Sequence, residues 1–168
     1  MYFKTRQLLN PKLKIKESIF EPYEQYRKEL VLSHFSYTSK DAYIRQLLEA
    51  VELPSHVANQ YPHELSGGQK QRVTIARSIS IEPDLIVLDE TTASLDVISQ
   101  GAVFTLLTEL RETLNLSYLF ISHDLAAVNQ MSQRIMVMKD GEIVDQFNQE
   151  HLFSNDRHPY TKELISIF

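Results

Sequence analysis

Apolar residues recur along the chain at helical spacing in two places. The first stripe, between residues 40 and 52, consists of Ile44, Leu47, Leu48 and Val51. The second stripe consists of Val103, Leu106, Leu107, Leu110 and Leu114. Positions at this spacing lie on one face of a helix, so each stripe predicts a helix that buries one side.

Two short, continuous apolar runs predict strands. Residues 85–88 form one run, which Asp89 and Glu90 close, and residues 118–121 form the other. Uninterrupted apolar runs of this length are typical of strands covered on both faces. We therefore expect both strands to be buried on both sides.

Capping sequences predict the starts of two further helices. Ser66-Gly67-Gly68-Gln69 fits the pattern S-x-x-Q of a capping box, in which the first and last residues satisfy each other's free backbone donors. Glu82-Pro83-Asp84 is expected to end that helix. Asp124 is expected to cap a helix that runs through residue 131.

The order of these elements predicts an α/β fold. Strands and helices alternate over residues 84–138, which indicates a mainly parallel sheet. Residues 135–138 and 142–146 are predicted to form a hairpin, because an Asp-Gly pair lies between them. Residues 1–38 are expected to be irregular, with Pro22 as a helix breaker.

Composition narrows the class of protein. The chain has 168 residues, 43% of them hydrophobic, and a net charge of −5, as expected for a soluble globular protein without a broad basic surface for nucleic acid. It has no cysteine, which excludes disulfides and thiolate metal sites. The apolar runs are far shorter than the roughly 18 residues of a membrane-spanning helix, and the N-terminus does not resemble a signal peptide.

The four glycines bear on nucleotide binding. They are Gly67, Gly68, Gly101 and Gly141, and none is spaced as G-x-x-x-x-G-K-[ST], so the sequence contains no phosphate-binding P-loop. Two adjacent glycines at a predicted helix start leave the backbone open to an anion. In isolation, a capped helix after a flexible turn is the favoured explanation of the same residues.

Acidic and imidazole side chains follow the two predicted strands. Asp89 suits a Mg²⁺ site and Glu90 a general base, because open α/β sheets bind ligands at the carboxyl ends of their strands. His123 follows the second strand and could donate to a phosphate oxygen. The alternatives are two acids that cap a strand end and a structural histidine.

In this order the segments resemble an ATP-binding-cassette (ABC) ATPase. Residues 65–73, Leu-Ser-Gly-Gly-Gln-Lys-Gln-Arg-Val, resemble the family's signature motif, and residues 85–90 its Walker B strand with the catalytic glutamate. Residues 93–96, Ala-Ser-Leu-Asp, are similar to its D-loop, and His123 to its switch histidine. The resemblance implies an incomplete P-loop NTPase domain, with a mainly parallel sheet and a helical subdomain.

The resemblance also implies cofactors, partners and roles. In this family two ATPase domains enclose two ATP molecules head to tail, so Ser66, Gly67, Gly68 and Gln69 would contact the γ-phosphate of ATP held by a second ABC ATPase subunit. The remaining roles are Mg²⁺ binding by Asp89, polarisation of the attacking water by Glu90, support of the γ-phosphate by His123 and coupling of the two sites by Asp96.

The flanking segments resemble one branch of the family. Tyr61-Pro62-His63-Glu64 and His158-Pro159-Tyr160-Thr161 are similar to the ATPase subunits of oligopeptide, dipeptide and nickel importers. This resemblance implies transmembrane permease subunits as partners and a cytoplasmic location, peripheral on the inner face of the cell membrane. The transported substrate, and whether the dimer has identical subunits, stay open.

The sequence departs from the family at several points. The P-loop pattern is absent, Lys4 stands at the place of the Q-loop glutamine with Gln7 out of register, and Thr91 replaces the usual proline. We interpret the chain as a C-terminal, N-terminally truncated portion of the ATPase, divided into 1–82 (Q-loop-proximal segment and helical subdomain), 83–146 (α/β core) and 147–168 (helical tail).

Two alternatives to a working importer subunit stay open. One is an inactive remnant or regulatory fragment that only offers its signature face to a full-length partner. The other is a repair or chromosome ATPase of the same family, which the absence of sustained heptads disfavours.

Overall fold

The computed structural model describes residues 2–4, 9–91 and 95–167. The helices are α1 (Ile15–Tyr26), α2 (Lys40–Ala50), α3 (Gly67–Ile79), α4 (Val97–Thr113), α5 (Leu125–Met131) and α6 (Pro159–Ser166). The strands are β1 (Tyr2–Lys4), β2 (Leu85–Asp89), β3 (Ser117–Ile121), β4 (Arg134–Lys139) and β5 (Glu142–Asn148). Short 3₁₀ turns lie at Ser55–Asn59, Pro62–Glu64 and Gln149–His151.

These elements form a small parallel sheet and a helical part, which confirms the predicted α/β class. The sheet has the order β1-β2-β3, and β1 and β2 pair in parallel with Phe3 opposite Leu88. Strands β4 and β5 form a separate antiparallel pair. The chain divides into two compact units, and the boundary along the chain falls between Leu119 and Phe120. The division into 1–82, 83–146 and 147–168 remains a prediction.

The helical part of the first unit is built by packing of α1 and α2 on α3. Its buried side chains include Ile15, Ile19, Tyr43, Ile44, Leu47, Leu48, Val73 and Ile79. The hydroxyl of Tyr43 donates to the carbonyl of Ser80, just after α3. Burial raises the pKa of this phenol well above its usual range, so the hydroxyl remains a donor. The apolar stripe predicted between residues 40 and 52 therefore forms the core contact of α2.

Helix α1 corrects the expectation that residues 1–38 are irregular. Pro22 lies inside the helix rather than ending it. A proline in a helix interior removes one backbone hydrogen bond. Here Ile15, Ile19 and Phe20 are buried, and α1 packs on α3, so tertiary burial outweighs the local cost of the proline.

The strands β2 and β3 form where they were predicted, but the expected burial on both faces is wrong. In β2, Ile86 and Leu88 are buried whereas Leu85 is exposed. In β3, Leu119 and Ile121 are exposed. Leu119 and Ile121 alternate with the half-buried Tyr118 and Phe120, so they lie on one face of β3, and the described residues leave that face largely uncovered.

The second unit is organised around the predicted hairpin. The two-residue turn has Asp140 at φ 52° and Gly141 at φ 86°, and positive φ at both positions is what the tight hairpin turn requires. Ile135, Val137, Phe147 and Leu152 form the buried cluster of this unit. No helix among the described residues is long and apolar enough to cross a membrane.

Candidate functional site

The start of α3 has the predicted capping box. The N–H of Gln69 donates to Ser66 Oγ over 3.2 Å, and the N–H of Ser66 donates to Gln69 Oε1 over 3.0 Å. The first-turn N–H groups of a helix have no partner within the helix. The box satisfies two of them, and no described residue accepts from the other two, those of Gly67 and Gly68. The helix start therefore presents two backbone donors at the positive end of its dipole.

The start of α4 packs directly against these two glycines. A Cβ on Gly67 would lie 3.3 Å from Leu95 Cδ2, and one on Gly68 would lie 3.8 Å from the side chain of Ser99. A side chain at Gly67 would thus crowd its neighbour, whereas one at Gly68 would meet an ordinary contact. The two helix starts form one surface, which we call the α3–α4 face, made of residues 66–69 and 95–99.

Asp96 caps α4. Its carboxylate accepts from the N–H of Ser99 over 2.9 Å and from the hydroxyl of Ser99 over 2.7 Å. These two bonds hold the pKa of Asp96 below its ordinary value, so the exposed side chain stays ionised. The structure thus places Asp96 beside the glycines of residues 66–69, which sequence spacing did not show. Ser99 was not singled out from the sequence, although an Asp followed three residues later by Ser is a visible cap.

Asp89 and Glu90 lie at the carboxyl end of β2. Asp89 is the last residue of the strand, and Glu90 follows it with φ 46°, in the left-handed region that non-glycine residues seldom adopt. Glu90 is exposed and Asp89 partly buried. Backbone strain of this kind clusters at functional sites.

No group of three or more potential metal ligands occurs among the residues that the structure describes. A lone carboxylate still fits Mg²⁺, which usually keeps several waters and phosphate ligands.

Thr91 follows directly and is buried, with 3% of the residue exposed. Its hydroxyl has no hydrogen-bond partner within the described part of the chain. The predicted D-loop residues Ala93 and Ser94 lie outside the described residues, as does Gln7 near the predicted Q-loop.

His123 belongs to the second unit. It is exposed and follows β3, between Ser122 and the N-cap residue Asp124. The carboxylate of Asp124 accepts from the N–H groups of Ala126 and Ala127, which confirms the predicted cap of α5. The structure therefore brings residues 66–69 together with Asp96, and describes His123 within a different unit.

The tail motif at residues 158–161 has a defined structural setting. Asp145 on β5 accepts from the N–H of His158 and from the hydroxyl of Thr161, each over 2.9 Å, and pairs with Arg157 at 3.5 Å. His158 Nδ1 in turn accepts from the N–H of Tyr160 at the start of α6. These contacts fix α6 on the hairpin.

Known proteins that are similar to this chain have names of one kind, that of an ATP-binding protein of peptide import or transport. The chain is 40% identical over 94% of its length to a putative peptide import ATP-binding protein of Brucella abortus (strain 2308). It is 41% identical over 94% of its length to the oligopeptide transport ATP-binding protein AppF of Bacillus subtilis (strain 168). The chain spans only 45% and 46% of these two proteins.

Solved structures agree with the fold. The dimeric structure of the bacterial ABC transporter cassette MJ0796 superposes with a TM-score of 0.71 at 28% identity, over 88% of this chain and 62% of that one. A dimeric post-hydrolysis state of the same cassette, bound to ADP and Pi, gives a TM-score of 0.70.

The family model described as ABC transporter matches residues 1–93, more than half of the chain. The matched range contains the capped glycine pair and the strand that ends in Asp89. With the fold, the relatives and this match in agreement, the chain belongs to the ABC transporter family.

Proposed function

We propose that this chain is part of the ATP-binding and ATP-hydrolysing subunit of an importer for peptides, which works with a second cassette and with transmembrane permease subunits at the cytoplasmic face of the membrane. The observation that carries the proposal is the α3 start, with two open backbone donors on a surface shared with Asp96. The names of the similar proteins, which refer to peptide import and oligopeptide transport, support peptides over nickel as the cargo.

The α3 start binds the γ-phosphate of ATP that the second cassette holds. The N–H groups of Gly67 and Gly68 and the hydroxyl of Ser66 are the donors, and the absence of a Cβ at both glycines lets the phosphate approach the backbone. Gln69 holds the geometry through its bond to Ser66. Binding in this way requires a partner with its own P-loop, because the pattern is absent from this sequence.

The β2 end supplies the other charges for phosphoryl transfer. Asp89 would hold Mg²⁺, and the ion would supply neutralisation of charge on the phosphates. Glu90 orients and polarises the attacking water. His123 donates a hydrogen bond to the γ-phosphate, and Asp96 couples the two nucleotide sites through the α3–α4 face. Catalysis of this kind relies on positioning and on charge neutralisation.

Uptake measurements in the producing organism test the proposal. Gly68→Ala at the chromosomal locus adds a methyl group where the phosphate approaches, with room for it beside Ser99. We expect uptake of a labelled oligopeptide to fall about tenfold or more, with labelled Ni²⁺ uptake unchanged. Gly101→Ala is the matched control, because a Cβ there meets nothing within 4 Å.

Two other results of the uptake measurements would contradict the proposal. Loss of nickel uptake with normal peptide uptake makes nickel the cargo and overturns the peptide assignment. If neither uptake changes, the chain is an inactive remnant or acts elsewhere, and the proposed function is wrong.

A further inference from the structure

The carboxylate of Glu82 is bound by three consecutive backbone N–H groups of the loop that joins α1 to α2. It accepts from the N–H of Ser33 over 2.7 Å, from that of His34 over 3.0 and 3.2 Å, and from that of Phe35 over 2.8 Å. Successive N–H groups that converge in this way form a concavity for an anion, called a nest. Both carboxylate oxygens are used, as expected for a ligand that fills its site.

Glu82 lies between α3 and β2, and its backbone has φ 44°, in the left-handed region that non-glycine residues seldom adopt. Such a conformation persists only where the surrounding structure holds it. The bonds from the loop supply that hold, because they fix the side chain of Glu82. The nest therefore connects the loop to the residues that lead directly into β2, which begins at Leu85.

The loop is also held on α2, by contacts that do not involve Glu82. Gln46 Oε1 accepts from the N–H of Ser36 over 3.1 Å, and Gln46 Nε2 donates to the carbonyl of Ser36 over 2.8 Å. The rings of Phe35 and Tyr43 meet edge to face, with their centroids 6.4 Å apart. Because these contacts hold the loop without Glu82, the nest is expected to persist when that carboxylate is removed.

We propose that residues 33–35 are a carboxylate-binding site whose resident ligand is Glu82, and that this contact latches the helical part to the start of β2. Glu82 is then a positioning residue, because β2 leads at its other end to Asp89 and Glu90. The latch itself does not depend on the proposed function. Its effect on transport does, since it acts through the roles proposed for Asp89 and Glu90.

Hydrogen exchange of the full chain tests the site, with single amides followed by NMR. Glu82→Ala is expected to raise the exchange rates of Ser33, His34 and Phe35 about tenfold, because their N–H groups lose a charged acceptor. Sodium formate, a small carboxylate, is expected to slow this exchange again, whereas formamide, an uncharged molecule of similar size, is not. Glu24→Ala is the matched control, because Glu24 is exposed and accepts no hydrogen bond from the loop among the described residues.

A second variant keeps the test decisive if Glu82→Ala does not fold. Glu82→Gln retains one acceptor oxygen, so its exchange rates at residues 33–35 should lie between those of the wild type and Glu82→Ala. Unchanged exchange in a folded variant, or equal effects of formate and formamide, would overturn the site.

Peptide uptake tests the positioning role separately. At equal protein level, Glu82→Ala is expected to lower uptake about threefold or more, with partial recovery in Glu82→Gln and no change in Glu24→Ala. Normal uptake in Glu82→Ala together with impaired uptake in Gly68→Ala would overturn the positioning role and leave the proposed function intact. Normal uptake in both would reject the proposed function and the positioning role with it, whereas slow exchange restored by formate would still retain the site.

Discussion

At the scale of single residues, Ser66 and Gln69 are the part of the proposed site that the sequence predicts most directly. Both capping bonds are visible as a pattern in the sequence and both are present in the structure. By satisfying the outer donors of the turn, they leave the donors of Gly67 and Gly68 for a ligand. In the proposed function, the same four residues therefore stabilise the helix and leave two donors for an anion.

Substitution of Ser66 is predicted to separate these two roles. Ser66→Ala removes the cap and should lower the free energy of unfolding by about 1 kcal/mol. Ser66→Asp keeps an acceptor for the N–H of Gln69, so stability should be retained, but its negative charge repels a phosphate. Urea unfolding measures the first effect and peptide uptake the second. Normal uptake in Ser66→Asp would contradict the placement of a phosphate at this turn.

At the scale of elements, packing decides which local preferences prevail. Helix α1 continues through Pro22 because its buried face packs on α3. Helix α6 has only eight residues, too few to be stable in isolation. Its apolar side chains pack on the buried cluster of the second unit, and Asp145 on β5 adds hydrogen bonds to its start. Burial by itself would raise the pKa of Asp145. The N–H of His158, the hydroxyl of Thr161 and the charge of Arg157 outweigh it and hold that pKa below the ordinary 3.8.

The attachment of α6 is predicted to weaken in acid. A carboxyl group whose pKa is lowered in the folded state stabilises the fold above its ordinary pKa, and this stabilisation is lost as the pH falls through the folded-state value. Thermal unfolding between pH 7 and pH about 3 should therefore show a steeper loss of stability in the wild type than in Asp145→Asn. The control is Asp41→Asn, because Asp41 is not part of this attachment. Parallel pH profiles for the wild type and Asp145→Asn would show that the carboxylate contributes nothing.

At the scale of the whole molecule, the proposed function makes the described chain one side of a nucleotide site that it shares with a second cassette. Residues 66–69 and Asp96, which lie at the starts of α3 and α4, are the groups proposed to act on the partner's nucleotide, and Asp89 and Glu90 lie at the end of β2. The sequence carries no pattern of glycines and lysine for holding the β- and γ-phosphates itself. The chain also spans less than half of the similar import proteins.

The chain alone is predicted to bind Mg-ATP poorly and not to hydrolyse it. Isothermal titration calorimetry of the 168-residue chain with Mg-ATP should give no saturable heat at micromolar concentrations, and phosphate release should match the buffer blank. The matched variant is Glu90→Gln, which should give the same blank result. Micromolar binding by the wild type would show that a phosphate site exists outside the residues assigned here.

Much of this protein follows from its sequence, because the relevant interactions are local. The capping boxes and caps at Ser66 and Asp124, the Asp-Gly turn of the hairpin and the apolar stripe of α2 depend on residues within a few positions of each other. The family resemblance of residues 65–73 and 85–90 rests on the order and spacing of these segments, which the sequence shows directly. The two caps, the turn and the apolar stripe are confirmed by the structure.

The remaining features depend on residues far apart in the chain. The helix through Pro22, the exposure of Leu119 at the sheet edge and the packing of Gly67 against Leu95 each require knowledge of which elements are neighbours. Periodicity reports which face of an element is apolar, but not what covers that face. The sequence thus determined the elements and the chemistry of the α3 start, and only the tertiary structure decided that the start of α4 completes its surface, because that contact joins segments almost thirty positions apart.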